Sequence, residues 1–461
     1  MNKKRFDVGS VFFTISALSF SACGGTSNAL SDNGTAQSTD DAGDTGTLTP
    51  TIRVSVDKVT PMGEMALGIN YWSWVDAWGN SVAGTEEVIS ALRPRFIRIG
   101  GTNNDTGDPE PFDSEELDDA IDYARSIGAE PMLQVPFLYD ENGDAATAEN
   151  AADIVRYANI TNDYQIRYFT IGNEPDIYID QEEKDSDFTV EMFCDSFKGF
   201  AQAMKAVDPD ILIVGPELSW RYQSGSNDWL TPFLTQCGDE VDIVSIHRYP
   251  IDPSKTTISE ALNDVNDFRE SIDSLLSKMA EAGKEDAPLA ITETNISWDG
   301  DPENSPLEAS PGTFFAGLWA ADTFGAALEM GVWTYAFWSI SEGWTLGFLD
   351  GDTPRPVYYM IKMYADHFGE NTVAVSEAPD GFSVYAGRTA DDDGTVLMVL
   401  NKTDTASEQI IRIEHSDTPI DTVVQDFPEY SISAVIVPDH GEPSVFTYAA
   451  ADPDVGPQQV R

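Results

Sequence analysis

The sequence predicts a (β/α)8 TIM barrel followed by an antiparallel β-sandwich, and three observations carry that reading. Between residues 66 and 367, short apolar runs alternate with helical patterns eight times, the arithmetic of a closed parallel barrel. After Phe368 the helical period stops, and short β-branched runs broken by turns such as Asp393-Gly394 take over, as in an antiparallel sandwich. Two of the apolar runs, in YFTIGNEP and LAITETN, lead directly into Glu174 and Glu293. Parallel α/β folds present their reacting groups at such strand ends.

Taken in order, Ala66–Asn70 is the first strand, followed by a helix over Thr85–Leu92. Arg95–Gly101 is the second, with a helix over Ser114–Ile127 whose first turn is acidic, as the helix dipole favours. Glu130–Val135 is the third, with a helix inside Ala146–Ala158, and Arg167–Gly172 the fourth, with a helix over Thr189–Ala206. Ile211–Gly215 is the fifth, with a weakly marked helix around Trp229–Gln236. Val241–Ile246 is the sixth, with a long helix inside Ile258–Ala282. Leu289–Thr292 and Val332–Trp338 are the last two, with helices over Gly312–Met330 and Val357–His367. Ile52–Val56 alternates and is expected to join the sandwich. The expected domains are therefore a strand over 51–60, the barrel over 61–369, the sandwich over 370–449 and a tail over 450–461.

The 461 residues exceed one ordinary core, which favours two domains. With 26 basic against 79 acidic residues the net charge is −53. Such a surface repels polyanions and excludes a nucleic-acid partner; it suits a solvated shell in salty surroundings. Met1–Cys23 is expected to be an address: Lys3, Lys4 and Arg5, then the mostly apolar Val11–Phe20, then Ser21-Ala22-Cys23. The stretch resembles a bacterial lipoprotein signal cut before Cys23, with Phe20 where that signal usually has Leu; plain secretion is the alternative. It implies export to the cell envelope, with membrane contact only through lipid on Cys23. Residues 24–50 hold little to bury and are expected to be a disordered tether. An exported compartment permits a disulfide between Cys194 and Cys237, with two buried thiols as the alternative.

In a barrel all strand ends open on one mouth, so Glu174 and Glu293 are expected to converge there. A charge directly after an apolar strand is costly unless used or paired. The sixth strand adds His247 and Tyr249, the second Arg98 and the eighth Trp338, while Trp72, Trp74 and Trp78 cluster after the first. Each tryptophan fits either core or platform. Glu217, after the fifth strand, reads as a rim or substrate-contact carboxylate. Pro175 biases Glu174 toward extended backbone. No Cys/His metal spacing, Ser-centred elbow or phosphate loop appears in the sequence, so neither metal nor cofactor is expected.

At these residues the chain resembles the retaining glycoside hydrolases of clan A, with Asn-Glu-Pro after strand four and a glutamate after strand seven. The barrel ending LGFLDGDTPRPVYYMIKMYADHFG and the late strand EYSISAVIV resemble families 39, 44 and 51. The resemblance implies Glu174 as acid/base, Glu293 as nucleophile and Asn173 as ligand of the sugar 2-hydroxyl. It also implies Tyr249 and Arg98 as supports of the nucleophile, with His247 beside them and Trp338 under the sugar. Glycosidic cleavage builds oxocarbenium character, so one carboxylate attacks carbon while a carboxyl protonates the leaving oxygen. The implied substrate is plant or algal polysaccharide and the implied action an endo-β-glycanase. An exo-acting arabinofuranosidase or β-xylosidase is one alternative and a non-catalytic carbohydrate-binding lipoprotein another. A monomer is expected.

Overall fold

The computed structural model describes residues 51–71, 82–106, 114–140, 142–222, 225, 227–252, 257–301, 308–341, 344–414 and 421–461. The expected signal, lipidated Cys23 and tether, together with Trp72, Trp74 and Trp78, lie outside the described residues.

Strand β1 (Ile52–Pro61) precedes a closed, all-parallel barrel of eight strands. These are β2 (Leu67–Tyr71), β3 (Phe96–Ile99), β4 (Glu130–Val135), β5 (Tyr168–Ile171), β6 (Leu212–Leu218), β7 (Ile243–Arg248), β8 (Leu289–Thr294) and β9 (Thr334–Phe337). Helices α1 (Glu86–Ser90), α2 (Thr102–Thr106), α3 (Ser114–Ser126), α4 (Ala148–Val155), α5 (Val190–Val207), α6 (Leu230–Cys237), α7 (Ile258–Glu281) and α8 (Phe314–Glu329) lie between them. A short hairpin, β10 (Leu349–Asp350) and β11 (Thr353–Pro354), leads into α9 (Pro356–His367). Threonine side chains cap α5, α7 and α8, with a full capping box at Thr257 and Glu260. Cys194 on α5 and Cys237 on α6 are joined, with their Cα atoms 5.7 Å apart.

The period of two along each strand builds the barrel interior in layers. Phe96, Met132, Tyr168, Ile243 and Ala290 form, with Met65 and Trp333, an apolar plug. Trp333 packs edge-on against Phe96 and Tyr168, with ring centroids 5.2 and 5.1 Å apart. Two residues further along the same strands, the inward positions become Arg98, Gln134, Thr170, Ser245 and Thr292, all buried. This polar layer sits directly over the plug and under the mouth.

The C-terminal strands are β12 (Phe368–Glu377), β13 (Phe382–Thr389), β14 (Gly394–Asn401), β15 (Ser407–Glu414), β16 (Asp421–Phe427), β17 (Ser431–Pro438), β18 (Ser444–Ala449) and β19 (Gln458–Gln459). With β1 they make one nine-stranded sheet in the order β16-β15-β1-β12-β13-β14-β17-β18-β19. It curls around its own apolar core of Ile52, Val54, Leu397, Val399, Ile411 and Val435 among others. The tail expected over 450–461 is not featureless, because β19 adds to β18 by backbone pairing that its polar sequence does not announce. The barrel meets the sheet at Asp322 on α8, whose carboxylate takes the Tyr385 hydroxyl at 2.5 Å and the Lys402 ammonium at 2.8 Å.

Candidate active site

Arg98 is the centre of the polar layer. A guanidinium has five N–H donors, and all five are used: Nε to Glu217 (2.8 Å), Nη1 to Asn70 (3.0 Å) and Glu293 (3.0 Å), Nη2 to Asn173 (2.7 Å) and Gln134 (3.4 Å). Asn70 is fixed in turn by donating to the Thr292 and Phe337 carbonyls, which ties β2 to β8 and β9.

The Asn-Glu-Pro turn follows β5. Gly172 has φ +73°, and a Cβ there would come within 2.6 Å of the Tyr178 hydroxyl. Asp105, fully buried, organises this turn: one oxygen accepts from the Tyr178 hydroxyl (2.5 Å) and the Asn173 N–H (3.1 Å), the other from the Phe137 N–H (2.6 Å). Glu174 does not take the extended backbone that Pro175 favours. Its φ and ψ are both 52°, a left-handed conformation strained for a side chain of this kind. Its N–H donates to the Glu217 carbonyl at 3.0 Å, which holds the turn in place.

Glu293 is the penultimate residue of β8, set beside His247 by a register shift between Ile246 and His247. Its carboxylate accepts the Tyr249 hydroxyl at 2.5 Å and Arg98 at 3.0 Å. His247 Nδ1 lies 3.0 Å from Glu174 and 3.7 Å from Glu293, while Nε2 faces Glu217 at 3.1 Å. Burial alone would lower the His247 pKa, but the Glu293 charge and the bonds to Glu174 and Glu217 push it up to about 10. Burial raises Glu293 above its ordinary value, opposed by His247 and Arg98 and reinforced by the Glu174 charge. Burial and the Glu293 charge lift the Tyr249 phenol well above 10, so it stays a donor. One carboxylate oxygen each from Glu174 and Glu293, with a His247 nitrogen, lie within 4.8 Å of one another. A cation could use that donor set only after His247 lost its proton.

Glu217 corrects the sequence expectation. It is neither at the rim nor in reach of substrate, but wholly buried beneath the mouth. The strand does not stop before Pro216: β6 runs on to Leu218, with a register shift between Pro216 and Leu218. Glu217, at φ 60°, lies within that shift. There it accepts from Arg98, His247 and the Thr292 hydroxyl (2.7 Å). Burial works against its charge, yet Arg98 and His247 hold it at about 2. Trp338 follows β9 half-buried, its backbone N–H donating to the Thr294 carbonyl at 2.8 Å. Asn70, Gln134 and Asp105 are supports that sequence reasoning missed. Only the period of two could have aimed Gln134 inward, and Asp105 is one acidic residue among many.

Residues 119–305, a stretch containing both glutamates, match the family model described as Glycosyl hydrolase catalytic core. A β-xylosidase of Caldicellulosiruptor saccharolyticus is 22% identical over 261 residues, 50% of this chain and 49% of that protein. The chain thus matches about half the length of that relative. The arabinose complex of an α-L-arabinofuranosidase from Thermotoga maritima superposes with a TM-score of 0.66 at 16% identity, over 89% of this chain and 95% of that one. CelM2, a bifunctional glucanase-xylanase from a metagenome library, gives 0.66 at 16% identity, over 85% of this chain and all of that one. At such identities the superpositions establish the common fold.

Proposed function

We propose that the chain is a retaining glycoside hydrolase with Glu293 as nucleophile and Glu174 as acid/base. The observation that carries this is that one oxygen of Glu174 and one of Glu293 come within 4.8 Å of each other beside His247, a nearest-oxygen approach that favours the closer of the two carboxyl spacings. Retaining enzymes hold the two carboxyls about 5–5.5 Å apart, whereas inverting ones need about 6.5–9.5 Å to admit a water. In the first step a Glu293 oxygen attacks the anomeric carbon, the glycosidic C–O bond breaks, and Glu174 gives its proton to the leaving oxygen. In the second, Glu174 takes a proton from water, whose oxygen displaces Glu293. Arg98 and Tyr249 hold Glu293 in an attacking position, His247 anchors Glu174, and Asn173 and Trp338 meet the sugar.

The substrate is plant or algal polysaccharide cut by endo action, a reading supported by the glucanase-xylanase neighbour. The arabinofuranosidase and β-xylosidase resemblances favour exo action on arabinofuranosyl or xylosyl ends as the second reading. The chain is exported and held at the cell envelope by lipid on Cys23, as a monomer. A panel of glucans, xylans, xyloglucan and arabinan, with the first-formed anomer followed by NMR, tests the reaction. Retained configuration is expected. Inversion, or binding without hydrolysis, overturns it, the latter in favour of a carbohydrate-binding lipoprotein.

A further inference from the structure

Two residues beyond Glu174, Asp176 is buried and its carboxylate gathers three successive backbone N–H groups: Ser219 at 2.9 Å, Trp220 at 3.2 Å and Arg221 at 3.0 Å. The segment after β6 is thereby pinned to the turn that carries Glu174. Trp220 is 44% exposed, a large apolar surface left in water. The Arg221 guanidinium stands over its ring, 5.0 Å from the centroid. That guanidinium is only 17% exposed and is fixed by Asp180 at 2.8 Å. The indole is therefore backed by a fixed cation, while nearly half of the residue's surface is left to the solvent. Backbone clamp and cation together orient the ring before anything binds, so little freedom is lost on stacking.

We propose that Trp220 is the platform for the sugar on the leaving-group side of the scissile bond. This rests on the glycosidase reading above. The sugar that Glu293 attacks becomes the glycosyl-enzyme, and the unit beyond the bond departs toward Glu174. Asp176 ties the Trp220 backbone to the turn that carries Glu174, the group that protonates the departing unit, and this link assigns the ring to that side. A sugar ring offers a flat C–H face, which suits an indole. The ligand class is therefore a saccharide of at least two units.

The test compares oligosaccharides with the glycosyl fluorides of the same sugars, since fluoride fills no sugar site beyond the bond that breaks. Xylo-, cello- and arabino-oligosaccharides are set against β-xylosyl, β-glucosyl and α-L-arabinofuranosyl fluorides. For Trp220→Ala, the loss of kcat/KM on oligosaccharides should exceed that on the matching fluoride by at least about tenfold, mostly through KM. Trp220→Phe should recover most of it. Equal losses on both substrates, or a loss below about twofold on oligosaccharides, overturn the platform. If the wild type cleaves none of these compounds and none of the polysaccharides of the panel, the glycosidase reading fails separately. The platform is then judged by tryptophan fluorescence: quenching by the oligosaccharides that disappears in Trp220→Ala supports it, and no quenching overturns it.

Discussion

His247 Nε2 lies 3.1 Å from the Glu217 carboxylate, with both side chains fully buried. Glu217 also binds Arg98, so one hidden anion serves both cations of the site. A lone buried charge would be costly, and the three together are tolerable. Glu217→Gln keeps the shape and removes the charge. His247 should then lose its proton at lower pH, moving the alkaline limb of the kcat profile down. We expect kcat to fall roughly 10²-fold with a smaller change in KM, because Arg98 and His247 position the groups that react. An unmoved alkaline limb would leave Glu217 with a purely structural role.

Stability should follow the same groups. Folded His247 holds its proton to about pH 10 against an ordinary 6.5, so its contribution is complete below about 6.5 and lost as pH rises toward 10. Folded Glu217 titrates at about 2 against an ordinary 4.5, so its contribution is complete above about 4.5 and lost as pH falls toward 2. Glu293, raised above 4.5, acts in the same sense as His247 and draws the optimum toward the acid end of that window. Tm measured against pH should therefore decline on both sides, and His247→Gln should flatten the alkaline decline.

The glutamates were legible in the sequence because each follows a short apolar run directly, where a charge needs a purpose. The barrel was legible because eight such runs recur at helical intervals. Glu217 is hard to place from sequence for a local reason: Pro216 cannot donate to a ladder, so the pattern marks a strand end just before it. The register shift between Pro216 and Leu218 lets β6 continue past the proline. Gln134 and Asp105 were hidden because their importance lies in three-dimensional neighbours, Arg98 and the turn at Gly172, that no spacing reveals. β19 escaped for a similar reason, since its pairing comes from backbone and its side chains are polar.

Net charge should make stability salt-dependent. At −53 the fold repels itself, and screening weakens that repulsion. Tm should climb from low to molar NaCl, and a flat or falling curve would remove the reading of adaptation to salt.

The bridge between Cys194 and Cys237 closes a loop with a sequence separation of 43. Loop-closure entropy assigns such a bridge about 4 kcal/mol, and measured values usually run lower. The double variant Cys194→Ser, Cys237→Ser should unfold at lower denaturant, by about 2–4 kcal/mol. Thiol counting on unreduced, denatured protein should find neither cysteine free.

The roles of the two glutamates can be separated chemically. Glu174→Gln should still form the glycosyl-enzyme from substrates with good leaving groups and then stall, because the water lacks its base. Azide should rescue it with retained configuration, while Glu293→Gln should be rescued only with inversion. Exchanged outcomes would exchange the roles.

The most direct measurement is covalent trapping. Wild-type protein is treated with the activated 2-deoxy-2-fluoro glycoside of the sugar that the panel identifies, digested, and read by mass spectrometry. The mechanism requires one glycosyl group per chain, in an ester to Glu293. A label on Glu174, or turnover with inverted product and no label, would contradict it.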